Sequence, residues 1–305
     1  MKSIVLCATL LLSLSCWGAQ EYSATGMVLR VDAAHRTLVV SCESIPGFMS
    51  AMIMPFEVRD AQVLNGITPG QTLDFTLVVE KTSTYAERIH IRRYESVEQD
   101  PFTARRLKLL TQLSHPSSTK PVEIGDPVPN FTLTDQDHHS VALSDFSDKV
   151  IAVNFIYTSC ALPKFCFRNT NTFAVLQKRF RERMGRELIL LTVTFDPQRD
   201  SPDALAKYAK TWKADSATWH FLTGSVPDIQ HVADIFGVDY FPDEGLMDHS
   251  LHTAIIDRRS RLVANIEGNQ FSAVQLGDLV ETVMERGQVP TRAAHNQNTG
   301  QPLTK

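Results

Sequence analysis

Two domains of different class, a small all-β barrel followed by an α/β sheet, are what the sequence predicts. Three observations predict it. The length of 305 residues exceeds what one small core organises. Residues 22–94 hold five short strand-like runs parted by turn signals. From residue 122 onward, fully apolar runs alternate with segments of helical spacing, the pattern of strands joined by helices. Composition is that of an ordinary globular chain, 43% hydrophobic and 21% charged. The net charge of −4 offers nucleic acid no electrostatic handle and sets that partner class aside.

Residues 1–18 read as a secretory signal. Lys2 precedes an apolar middle, IVLCATLLLSLS, and Cys16-Trp17-Gly18 puts small residues, Cys16 and Gly18, at the −3 and −1 positions before Ala19. The run is too short to span a bilayer, and no other stretch approaches the required length. Export to the periplasm or cell envelope is therefore expected. Membrane association is expected only if Cys16 is lipidated, and Ser13 stands where a lipidation signal prefers Leu. Of five cysteines, Cys7 and Cys16 lie in the signal, which leaves Cys42, Cys160 and Cys166. An exported chain with one close pair and one odd thiol must bury or occupy the odd one.

The strand signals begin with GMVLRVD, where Met27, Leu29 and Val31 alternate. They continue through Leu38–Val40, MPFEVRD, TLDFTLVVE after the turn Thr68-Pro69-Gly70, and AERIHIRR. Five short strands in one small domain suggest an OB-like barrel. Residues 95–121 form a linker with an amphipathic helix, FTARRLKLLTQL, whose spaced apolar residues are Phe102, Leu107, Leu110 and Leu113.

The α/β domain spans 122–286. Ile151–Tyr157 and LILLTVTF are buried strands. Asn169–Met184 is a helix with Phe173, Leu176, Phe180 and Met184 on one face, stopped by Gly185. SPDALAKYAKTW and VPDIQHVADIFG are helices, the second ending at Gly237. LHTAIIDRRSRLVANIEG reads as a hairpin, and a closing helix follows Ser272. The alternation argues for a thioredoxin-like sheet. Residues 287–305 are polar and expected to be disordered.

Chemistry concentrates in NFIYTSCALPKFCF, residues 154–167. Cys160 and Cys166 stand at the end of a buried strand and the start of a helix, where the helix dipole favours thiolates. Such a pair can form a disulfide, attack one, or hold a soft metal. His249, in Asp248-His249-Ser250 before LHTAIID, is expected in the loop entering a strand next to the cysteines, with His252 as its competitor. Two sulfurs and one imidazole nitrogen suit copper in either oxidation state. In the first domain Cys42 is followed by Met49, Met52 and Met54, soft donors selective for Cu(I). Met52 and Met54, two apart on a strand, share a face. Methionine filling a core is the competing reading.

These residues carry two resemblances. FIYTSC, TFDPQRDSPDALAKYAK, the FGV turn and DHS resemble the SCO/SenC copper chaperones, which have a thioredoxin fold. That resemblance implies copper ligation by Cys160, Cys166 and His249, a supporting role for Asp196 near the metal, and a Cys160–Cys166 disulfide when oxidised. It also implies copper delivery to a copper-receiving protein, for example the cytochrome c oxidase subunit with the dinuclear copper site. The spacing departs from the family's C-x3-C: here it is C-x5-C.

Residues 25–92 resemble the CusF-type copper-binding domains, through GMVLRVD, the M-x-M-P-F core and LNGITPGQTLDF. That family binds Cu(I) with a histidine, two methionines and a capping tryptophan. Met52 and Met54 match its methionine pair, Cys42 falls at the histidine and Met49 at the tryptophan, which implies an all-sulfur site. The alternative to a copper carrier is an enzyme, a thiol–disulfide oxidoreductase or thiol peroxidase using Cys160 and Cys166. IGDPVPNFTL is shared with peroxiredoxins and membrane-tethered thioredoxins. Thr158 two before Cys160, instead of three, and the lack of proline between Asp243 and Thr253 weigh against it.

Overall fold

The computed structural model describes residues 19–94, 101–114, 120–160, 163–243 and 246–286. The expected signal at 1–18, the lipidation point Cys16, the tail at 287–305 and parts of the linker lie outside the described residues.

The barrel closes from five strands: β1 (Gln20–Asp32), β2 (Thr37–Cys42), β3 (Met52–Val58), β4 (Thr72–Val79) and β5 (Thr84–Ile91), in the order β1-β2-β3-β5-β4. Its interior is filled by Val28, Leu38, Val40, Phe56, Val58, Leu73, Phe75 and Leu77. The row Met27, Leu29, Val31 does not line it as a single face. A bulge between Val28 and Arg30 shifts the register by one residue. Val28 and Val31 pack with the barrel core, while Met27 and Leu29 turn outward into the core of the second domain. Gly26 permits the close approach of β1 to β2 beside Cys42, since a Cβ there would lie 2.6 Å from the Ser41 carbonyl oxygen.

The linker helix α1 (Pro101–Ser114) forms, but its buried side is not the expected one. Leu107 and Thr111 are buried and Leu110 is half-buried, whereas Phe102 and Leu113 face solvent.

The second domain is thioredoxin-like. A small hairpin of β6 (Thr132–Thr134) and β7 (Ser140–Ala142) precedes a five-stranded sheet. Three strands of that sheet are parallel: β8 (Val150–Ile156), β9 (Leu188–Thr194) and β10 (Trp219–Leu222). They are joined by β13 (His252–Ile256), antiparallel to β8, and β14 (Leu262–Glu267), in the order β10-β9-β8-β13-β14. Helices α2 (Arg168–Arg179), α3 (Pro202–Thr211) and α5 (Ala273–Glu285) pack on one face, and α4 (Val226–Phe236) on the other. That two-sided cover explains why β8 and β9 are largely apolar and buried along their whole length, Asn154, Thr192 and Thr194 included. Val150 and Ala152 point to one layer, and Ile151, Val153 and Phe155 to the other. Gly237 ends α4 in the left-handed region, φ 70°, as its position after the apolar pattern predicts.

α2 ends at Arg179, five residues short of the expected Met184. Phe180 caps it and the chain turns before Gly185. Two short strands, β11 (Tyr240–Asp243) and β12 (Leu246–His249), pair as a hairpin absent from the sequence reading.

The domains are locked together. Met27, Leu29 and Val39 pack with Leu276, Leu279 and Val280 of α5. The Ser41 hydroxyl donates to Asp278 Oδ2 at 2.7 Å, and Arg179 donates to Asp278 Oδ1 at 2.7 Å. Arg286 donates to the Leu29 carbonyl at 3.0 Å.

Candidate metal centres

The thiol pair sits where β8 ends. Tyr157 is buried, and Thr158 is tied down by Asp200, itself fully buried. The Thr158 backbone N–H donates to Asp200 Oδ2 at 3.0 Å, its hydroxyl donates to Asp200 Oδ1, and Thr194 adds a bond of 2.5 Å. Asp200 thus fixes the turn that presents Cys160. Cys160 is half-buried. A π-helical turn, Pro163–Phe167, then carries Cys166 inward, where it is 1% exposed. Residues 161 and 162 of the intervening loop lie outside the described residues.

Cys160 and Cys166 are thiols rather than a disulfide, hydrogen-bonded to each other. The expected lowering of thiol pKa by the helix start does not hold for Cys166. The bond to Cys160 and then burial push its thiol well above the usual value. α2 begins only after the π turn, so Cys166 lies below the helix end in an apolar layer with Tyr157, Phe195 and Tyr240.

His249 ends β12, opposite Tyr240, so it stands on a strand and not in the loop the sequence suggested. Its ring meets Tyr157 edge-on with centroids 5.8 Å apart, and Phe195 at 4.6 Å. The Nδ1–H donates to the Ser250 carbonyl at 3.0 Å, which leaves Nε2 with its lone pair for a ligand bond. His252, the competitor, is turned to Asn265 Oδ1 at 3.1 Å. Tyr157 links the two halves, bonded to Cys160 on one side and packed against His249 on the other. Among the described residues the three ligand atoms do not all lie within 4.8 Å of one another. The group that does is Asp135, Asp137 and His139 at the β6–β7 turn. There the Asp135 carboxylate is occupied by the backbone N–H groups of Asp137 and His139 and by His220.

Asp196 follows Phe195 in sequence. Burial, the largest effect, raises its pKa, and Arg199 pairs with it at 3.3 Å. Asp200 is the carboxylate that touches the thiol turn. Both lie in DPQRD, and nothing in the sequence distinguishes which of the two faces the cysteines.

At the barrel the donors follow the strand register. Cys42 is opposite Met52, and Val40 is opposite Met54. Val40, Cys42, Met52, Met54 and Phe56 therefore belong to one inward row, because directly opposed residues share a face. Burial falls along β3 as the row leaves the barrel: Phe56 is buried, Met54 half-buried, and Met52 is 52% exposed. Cys42 is buried and Met49 packs on the same core, its backbone bridged to Ile45. The donor set occupies one mouth of the barrel. Phe48, stacked on Tyr22 at 4.1 Å, sits beside it, a contact the sequence reading missed although Phe48 adjoins Met49. Burial, and to a lesser degree Glu43, pushes the Cys42 thiol from 9.0 up to about 12.

Comparison with known proteins divides the chain in the same way. Residues 121–285 match the family model SCO1/SenC, and residues 21–91 match the model described as copper binding periplasmic protein CusF. An SCO1 protein homolog of Bacillus subtilis is 30% identical over 106 residues, covering 33% of this chain and 53% of that protein. An SCO2-like protein of Rickettsia typhi is 27% identical over 142 residues, covering 44% of this chain and 66% of that protein. The chain thus spans between about half and two thirds of these relatives. Among solved structures, Arabidopsis thaliana ScoI with copper bound aligns with a TM-score of 0.46 and 25% identity, over 53% of this chain and 99% of that one.

Proposed function

The chain belongs to the SCO1/SenC family, and from that premise we propose that it is an exported copper carrier that holds the ion on two separate donor sets and hands it to a copper-receiving protein. In the thioredoxin-like domain the ligands are Cys160, Cys166 and Nε2 of His249. In the barrel they are Cys42, Met49, Met52 and Met54. The observation that carries this reading is the arrangement of Tyr157: bonded to the Cys160 thiol and packed on the His249 ring, it puts both kinds of donor against one side chain.

The donor chemistry fits copper. Thiolate and imidazole accept Cu(I) and Cu(II), and a thiol with thioethers selects Cu(I). His249 is already oriented by its bond to Ser250, the arrangement that fixes a ligand tautomer. Copper entry at either site displaces thiol protons. Because the three donors of the first set are not closed on one point, ion binding requires the thiol turn and the β11–β12 hairpin to approach each other. The receiving protein in this reading is a dithiol copper site such as that of cytochrome c oxidase. Export rests on residues 1–18.

Anaerobic Cu(I) titration against a competing chelator tests the proposal. The expected stoichiometry is about two ions per chain. Cys160→Ser should remove one, and Met52→Ala with Met54→Ala the other. A stoichiometry that neither set changes overturns it.

One observation favours a second reading, a thiol–disulfide oxidoreductase. Cys160 is half-exposed and Cys166 buried beneath it, the placement of an attacking and a resolving thiol. Insulin reduction at thioredoxin-like rates, abolished by Cys160→Ser, would establish that activity in place of carriage.

A further inference from the structure

Helix α1 has two apolar faces on opposite sides. The inner one, Leu107 and Thr111, lies against β11, where the Thr111 hydroxyl donates to the Tyr240 carbonyl at 3.1 Å. The outer one is Phe102, Leu109 and Leu113, which are 79%, 58% and 78% exposed. Leu109 and Leu113 follow Phe102 by about two and three helical turns, so the three form one straight stripe along the helix. The stripe is flanked by Arg105 and Arg106, with Lys108 further round, and the helix holds no acidic residue. Arg106 keeps most of its surface in water although it pairs with Asp243 at 3.6 Å. A chain of net charge −4 thus concentrates three positive charges around three exposed apolar side chains, two of them the most exposed large apolar ones among the described residues.

We propose that α1 docks the protein on a membrane surface carrying anionic phospholipid, with Phe102, Leu109 and Leu113 inserted among the acyl chains and Arg105, Arg106 and Lys108 at the headgroups. Single exposed apolar residues are unremarkable, but three in register on a basic helix form the pattern of a helix lying in the interface plane. The helix is 14 residues, about 21 Å, too short to span the hydrocarbon core. Among the described residues no helix is long and apolar enough to cross a membrane. Charge complementarity selects the bilayer over a second copy of the chain, whose matching helix would bring its own three cations to the contact. The docking face is independent of Cys16 and of what the cysteines carry. Its inner side abuts the hairpin that bears His249, so the bilayer would lie one helix thickness, about 10 Å, beyond that hairpin.

Vesicle co-sedimentation of the chain from Ala19 to Lys305, which keeps every residue of both cores, tests the proposal. Vesicles of phosphatidylcholine with phosphatidylglycerol should sediment the protein, and pure phosphatidylcholine should not. Phe102→Ser with Leu109→Ser and Leu113→Ser should abolish the binding while leaving circular dichroism and the melting temperature unchanged, since the stripe faces water. Arg105→Gln and Lys108→Gln should each weaken it about fivefold, and raised salt should mimic them. Absence of sedimentation, equal binding to neutral vesicles, or binding undiminished in the triple serine variant overturns the proposal. So does a concentration-dependent dimer, in sedimentation equilibrium, that the triple variant abolishes while vesicle binding is lacking.

Discussion

At the scale of single residues, two side chains bear most on how the two candidate centres behave. Asp200 anchors the thiol turn through Thr158 and Thr194 from a fully buried position. Asp200→Asn keeps one acceptor oxygen but puts an amide where the Thr158 and Thr194 hydrogens point. Bonds to a charged group contribute about 1.5–3 kcal/mol each, so a loss on the order of 2 kcal/mol in urea unfolding is expected, with weaker Cu(I) binding at Cys160. Unchanged stability would show that the turn holds without it. Cys42 sets a pH dependence. A thiol whose pKa folding raises from 9.0 to about 12 stabilises the fold fully below the unfolded value and loses that contribution as pH climbs through 12. From about pH 6 to about pH 8 it keeps its proton, so each Cu(I) bound releases one, and barrel affinity should rise about tenfold per pH unit. Cys42→Ser should flatten the slope, and a slope that survives would remove Cys42 from the ligand set. The candidate donors could be named from the sequence by residue type alone. The direction of the Cys166 shift was not, because burial below a π turn is a property of packing that no local motif encodes.

Among elements, the β11–β12 hairpin was the main gap in the sequence reading. Tyr240–Asp243 is YFPD, with a proline and no alternation, and Leu246–His249 is hardly more strand-like. What makes them strands is tertiary: Tyr240 stacks on Phe195 at 5.6 Å and α1 covers the outer side. The amphipathic helix was legible as a helix, yet its spacing named four apolar residues as one face, and packing buried only Leu107 and, by half, Leu110. The hairpin's dependence on α1 can be measured. Thr111→Val leaves the Tyr240 carbonyl short of a buried donor, which should cost about 1 kcal/mol and speed hydrogen exchange across residues 240–249 more than in the barrel. Uniform exchange in the variant would mean that α1 does not hold the hairpin. The barrel strands and the apolar β8 and β9, by contrast, were readable because their residue pattern and their burial agree.

On the scale of the whole molecule, the barrel and the sheet share a core. The alternation of Met27 and Leu29 is a strand face but belongs to the domain interface, and the bulge after Val28 that turns Val31 back to the barrel core has no sequence signature. Asp278 bonds both Ser41 and Arg179, so it ties the barrel to α2 as well as to α5. Met27→Ser with Leu29→Ser should uncouple the domains and split one calorimetric transition into two, while each domain keeps its own metal stoichiometry. A single transition in that variant would show that the apolar contact is not what joins them. The central claim, that sulfur from Cys160 and Cys166 and nitrogen from His249 meet on one ion, is tested most directly by copper X-ray absorption on the Met52→Ala, Met54→Ala chain loaded with one Cu(I). Two sulfur scatterers and one imidazole nitrogen are expected, with the nitrogen lost in His249→Ala. A spectrum that His249→Ala leaves unchanged, or that holds fewer than two sulfurs, would contradict it.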